Sequence, residues 1–168
     1  MSTTTSLTQP ALIGGLVMGV LSALPIVSAG NYCCCLWVIS GGLVAAYVLQ
    51  QNQAAPITQG DGAIAGLAAG VTGAFVYLVI SIPISLLVAP MERELLQRII
   101  EGSNRMRPEA REFAMRFASG PVRLIVGFIF MLFIGAIFST IGGLLGSIFF
   151  RKSLPPPATP DVPVAPPA

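Results

Sequence analysis

Apolar residues fill four long runs of the chain, over 11–29, 33–50, 62–82 and 124–150, and polar or charged segments separate them. At about 1.5 Å rise per residue, the shortest run reaches about 27 Å as a helix, close to the ~30 Å hydrocarbon core of a bilayer. The pattern therefore predicts four membrane-spanning helices. Gly30-Asn31-Tyr32 is the only polar break between the first two runs and predicts a tight helical hairpin, with Pro25 kinking or tightening the end of the first helix. The third run stays uncharged to Met91 but is divided by Pro83, which predicts a kink over 81–85. The last run is longer than the core and predicts tilt or overhang.

Between the third and fourth runs the periodicity changes. Over 91–118, Leu95, Leu96, Ile99 and Ile100 share one helical face, and Ala110, Phe113, Ala114 and Phe117 share another. Gly102-Ser103-Asn104 separates the two faces, and Pro108 suits the first turn of the second helix. Glu94–Arg98, Glu101–Arg105 and Glu112–Arg116 have the favourable acid-first i, i+4 order. The segment predicts a pair of amphipathic helices at the headgroups or packed on the bundle, or a docking site for a partner. Residues 1–10 predict a loose polar terminus. Residues 151–168 are rich in proline and predict an extended tail.

Composition agrees with the pattern. The chain is 54% hydrophobic and only 10% charged, against about 25% charged in an average soluble domain. No Asp, Glu, Lys or Arg lies in residues 11–60, and twelve of the sixteen charges fall between Glu92 and Arg123. Seven of these are arginines, so the positive-inside rule places 91–123 in the cytoplasm. With four spans, both termini and the 51–61 loop are then external and the 30–32 turn is cytoplasmic. Arg151 and Lys152 oppose this assignment. A final segment broken at 140–147 and turned back on itself is the alternative. Val27-Ser28-Ala29 fits a signal-cleavage pattern, but no basic residue precedes the first run, so cleavage is not expected.

The strongest signal for packing is small residues at spacing four. Ala11, Gly15, Gly19 and Ala23 line one face of the first run. Gly62, Gly66, Gly70 and Ala74 line one face of the third. Gly135, Ser139, Gly143 and Ser147 line one face of the fourth, with Gly142 and Gly146 beside them. In lipid, small residues let backbones approach until dispersion and weak Cα–H···O contacts hold them. The first and third runs also match at an offset of 51 residues, over 12–27 and 63–78, as a parallel repeat would. In this general layout the chain resembles uncharacterised small four-span bacterial integral membrane proteins. The predicted class is all-α: a compact four-helix transmembrane bundle with an amphipathic helical pair between spans three and four.

Candidate chemistry is sparse. There is no histidine, which removes the commonest general base and neutral metal ligand. No ionisable residue lies inside a predicted span, whereas membrane enzymes and coupled transporters depend on such groups. Asp61 is expected as a helix N-cap or first-turn acid. Cys33, Cys34 and Cys35 are the most reactive side chains and are weak candidates for metal binding or acylation. Successive helical side chains diverge by about 100°, so the three cannot chelate one metal alone. Their simplest role is as small apolar residues that open the second span. No cofactor and no nucleic-acid partner is expected. The bilayer, a second copy or another membrane protein is. These observations predict a non-catalytic membrane scaffold or accessory subunit of the cytoplasmic membrane that associates through its small-residue helix faces, with an oligomeric channel or transporter for small solutes as the alternative.

Overall fold

The computed structural model describes residues 6–24, 27–32, 35–102, 109, 112 and 121–152. Among these the chain is all-helical. Helix α1 spans Thr8–Ala23, a short α2 spans Ala29–Tyr32, and α3 spans Leu36–Gln51. Helix α4 runs from Gln59 to Gly102. Helix α5, Pro121–Ile134, continues through a π-helical turn, Gly135–Ser139, into α6, Thr140–Phe149. Two stretches are long and apolar enough to cross a membrane, Gln59–Met91 and Val122–Phe149, while α1 and α3 are shorter apolar helices.

Helix α1 packs on α3 and α4, α6 packs on the same two, and α3 and α4 touch between them. Directions follow from the contacts. Gly14 lies against Ala69, Gly15 against Thr72 and Gly19 against Val76, so α1 and α4 run the same way. Gly62, Gly66 and Gly70 meet Gly143, Ser139 and Gly135 in descending order, so α4 and α5–α6 are antiparallel.

Most of the helix-facing positions carry small side chains, with Met18, Val38, Leu49, Ile57 and Met131 as the large buried exceptions, and many large apolar side chains face outward. On α1 the buried set is mostly Ala, Gly and Ser around Met18, while Leu12, Leu16, Val20 and Leu24 point outward at spacing four. On α4, Ala65, Ala69 and Ala74 are buried while Phe75, Val79, Leu86 and Leu87 are exposed. A water-soluble bundle buries its large apolar side chains instead.

Several element boundaries differ from the sequence pattern. Helix α1 stops at Ala23, not 29, because Leu24 precedes Pro25 and is extended at ψ 123°. The proline ring disfavours a helical residue before it. The hairpin at Gly30-Asn31-Tyr32 is consequently not a tight turn: 24–35 form the connection, with α2 inside it. The expected separation of span three from an amphipathic helix does not occur either, since α4 is continuous through Pro83 and Pro90. Both prolines are exposed and lie about two turns apart on one face. Each removes one backbone bond without touching the packed side. The last helix is likewise continuous through 140–147, so it is not a segment broken there and turned back. Pro25, the 103–108 break, Arg105, Arg116, the second amphipathic face and the tail beyond Lys152 lie outside the described residues.

The 52–58 loop and the chain's end are tied together. Buried Gln50 donates from Nε2 to the Ala55 carbonyl at 3.1 Å and accepts from the Ile57 N–H at 2.9 Å. Thr58 and Asp61 form a capping box: the Asp61 N–H donates to Thr58 Oγ1, and Asp61 Oδ2 accepts from the Thr58 N–H. Asp61 is thus a first-turn acid of α4. Lys152 Nζ donates to the Gln53 carbonyl at 2.8 Å, which closes α6 onto the same end of the molecule.

Candidate functional site: the crevice between α4 and α5

All nine glycines singled out by spacing face another helix of the same chain. A β-carbon at Gly15 would lie 2.8 Å from Thr72 Cβ, at Gly19 2.7 Å from Val76, and at Gly62 2.5 Å from the Gly143 carbonyl. Gly66 is closed by the Ser139 carbonyl, Gly70 by that of Gly135, and Gly143 by that of Gly62. Gly135 lies on Met18, Gly142 on the Ile39 carbonyl and Gly146 on Ala46. The spacing missed Gly14 and Gly73, which are equally enclosed. The small-residue faces are therefore consumed within this chain.

Ser139 occupies the centre. Its Oγ donates to the Gly66 carbonyl at 2.8 Å, and its own carbonyl fills the space beside Gly42 and Gly66. The π turn explains how a strict four-residue ladder stays on one side. Four residues overshoot a 3.6-residue turn by about 40°. The wider i→i+5 turn at Gly135–Ser139 winds less per residue and takes back part of that drift. Thr140 Oγ1 donates to the Ala136 carbonyl at 2.5 Å inside this turn.

At the opposite end from Lys152 the packing opens. Helices α1 and α3 stop at their connection, while α4 and α5 continue past it. Between them lies a cavity of about 670 Å³. Its base is apolar: Val38 and Met131 belong to a buried cluster with Met18 and Ala74, and Ile134 packs against it. One side is the 24–35 connection, held by a hydrogen-bonded knot. Asn31 Nδ2 donates to Ser22 Oγ at 2.9 Å, Asn31 Oδ1 accepts from the Trp37 N–H, and Trp37 Nε1 donates to the Val27 carbonyl at 2.6 Å. The other side is a hydroxyl stripe on α4, Tyr77, Ser81 and Ser85, at helical spacing four. Ser85 Oγ donates to the Ile82 carbonyl. The Tyr77 and Ser81 hydroxyls have no hydrogen-bond partner among the described residues. Arg123 lies in the first turn of α5, at the outer end of the cavity.

Of the cysteine cluster, Cys33 and Cys34 lie outside the described residues. Cys35 does not begin a helix as expected. It stands one residue before α3 in the left-handed region, φ 52°, and lines the cavity. Left-handed backbone is unfavourable for a non-glycine residue, and here it turns the connection into α3. Among the described residues no three His, Cys, Asp or Glu side chains are grouped to hold a metal. The crevice was not legible from the sequence. The Tyr77-Ser81-Ser85 spacing was its one visible trace.

No protein-family model, curated protein or solved structure matches the chain.

Proposed function

We propose that the chain is a multi-pass integral protein of the cytoplasmic membrane, a non-catalytic scaffold or accessory subunit built on a four-span bundle. One observation carries this reading: the helix contacts are made mostly by glycine, alanine and serine, with few large buried side chains such as Met18 and Leu49, while most leucine, valine and phenylalanine side chains described on the helices face outward. Lipid tails solvate that exterior, and close backbone approach supplies the cohesion that the hydrophobic effect cannot give there. Helices α1 and α3, sixteen residues each, reach about 24 Å and cross with local thinning or through the headgroup margin.

Because the glycine faces are occupied within the chain, association with a second copy or another membrane protein uses the aliphatic exterior. Leu86, Leu87 and Met91, the most exposed of the large apolar side chains described on α4, are the strongest candidates. They lead directly into the charged end of the helix, where Glu94 and Arg98 pair at 2.6 Å. A solute path through one bundle is opposed by Ser139 and its glycine neighbours, which fill the axis.

Two measurements test this reading. The chain should resist alkaline extraction from membranes and require detergent. A cysteine placed at Gln53 should react with an impermeant reagent in intact cells, and one at Ser103 should not. Release at high pH, or labelling at Ser103 but not Gln53, contradicts the reading. A photo-crosslinker at Leu87 should capture a membrane protein or a second copy, whereas one at Leu16 should capture lipid.

A further inference from the structure

We propose that the crevice between α4 and α5 binds one acidic phospholipid, with its headgroup at Arg123 and an acyl chain directed toward Val38, Met131 and Ile134. The inference rests on the membrane reading above. Its ligand class follows from the order of the lining: apolar at the base, hydroxyl-bearing along α4, cationic at the outer end.

Depth can be read from contacts. Phe75 packs on Phe128 with ring centroids 5.2 Å apart, and a β-carbon on Gly127 would lie 3.8 Å from the Tyr77 hydroxyl. Tyr77 therefore sits opposite Gly127. Ser81 and Ser85, on the next turns of α4, lie opposite the residues of α5 that precede it, at the level of Arg123. A cavity of about 670 Å³ falls within the ~300–1,000 Å³ of small-molecule sites.

Water alone suits this space poorly. It would satisfy the Tyr77 and Ser81 hydroxyls but would also have to wet the apolar base, and apolar cavities stay dry. An acyl chain fills that base. Phosphate and ester oxygens accept from the two hydroxyls, and phosphate suits the planar guanidinium of Arg123. Phe130, which lines the crevice from α5, is itself 66% exposed.

The test uses the full chain reconstituted in vesicles of equal parts phosphatidylglycerol and phosphatidylcholine, gently extracted, and weighed intact by native mass spectrometry. One phosphatidylglycerol per chain is expected. Gly127→Leu, whose β-carbon would meet only the Tyr77 hydroxyl at 3.8 Å, adds a side chain on the crevice wall and should remove it. Ser81→Leu does the same from the opposite wall. Arg123→Gln should retain a lipid but reduce the preference for phosphatidylglycerol by about tenfold, the effect of one charge-assisted contact. Wild-type chain that carries no lipid, or both lipids equally, overturns the proposal whatever the variants do. So does retention of phosphatidylglycerol by folded Gly127→Leu, or a co-purified protein crosslinked to the crevice in place of lipid. A chain that needs no detergent would instead refute the membrane reading itself.

Discussion

Ser139 Oγ donates a 2.8 Å hydrogen bond to the Gly66 carbonyl across seventy-three positions of sequence. The bond lies at a close approach, where the π turn meets the middle of α4. Its geometry separates two contributions to stability: the hydrogen bond itself, and the absence of a side chain at Gly66 that allows it.

The two contributions should differ in size. Ser139→Ala removes only the bond and should lower stability by about 1 kcal/mol or less, since such bonds between helices in membranes are modest. Gly66→Ala drives a methyl group into the Ser139 backbone and should cost about 3 kcal/mol or more, the upper range for overpacking. Thermal unfolding in detergent, compared across the pair, checks the ranking. Equal effects would mean that the hydrogen bond, not close approach, holds the helices.

Not every glycine should behave so. Gly127 faces the crevice, and its added β-carbon meets only the Tyr77 hydroxyl at 3.8 Å. Gly127→Ala should be neutral or stabilising by about 0.5–1 kcal/mol, from the helix propensity regained. The same melting assay reads it, and a large loss would contradict the openness of the crevice.

The 24–35 connection depends on Asn31 and Trp37. Asn31→Ala removes the bonds to Ser22 and to the Trp37 N–H, and about 1–3 kcal/mol should be lost. Gly30→Ala would press a methyl group onto the indole, 2.5 Å from Trp37 Nε1. Trp37 is the sole tryptophan, so either change should shift its fluorescence emission. Unaltered emission in both variants would count against the knot.

Cys35 holds a left-handed backbone at φ 52°. Cys35→Val should cost about 1–2 kcal/mol, because a β-branched residue is strained there. Cys35→Asn should be tolerated far better, since asparagine visits this region readily. Melting temperatures of the two variants decide. The opposite order would show that packing, not backbone conformation, selects the residue.

Much of the fold was legible in the chain. Uninterrupted apolar runs, the polar 51–61 loop and the small-residue ladders are local patterns, and each follows from how side chains partition and how closely backbones can approach. They located the helices and the inward faces, including all nine glycines that proved enclosed. Asp61 was equally readable, because a capping box is a short-range device. Four matters depended on tertiary contacts. The ladders specify close approach but not its partner; only the packing shows that they close within one chain. Pro83 divides the third apolar run, yet α4 continues through it and through Pro90, with both rings on its outer face. The π turn follows from the need to keep Ser139 and Gly143 aimed at α4. The crevice exists because α1 and α3 end where α4 and α5 do not, a difference in height between neighbours that no single segment encodes.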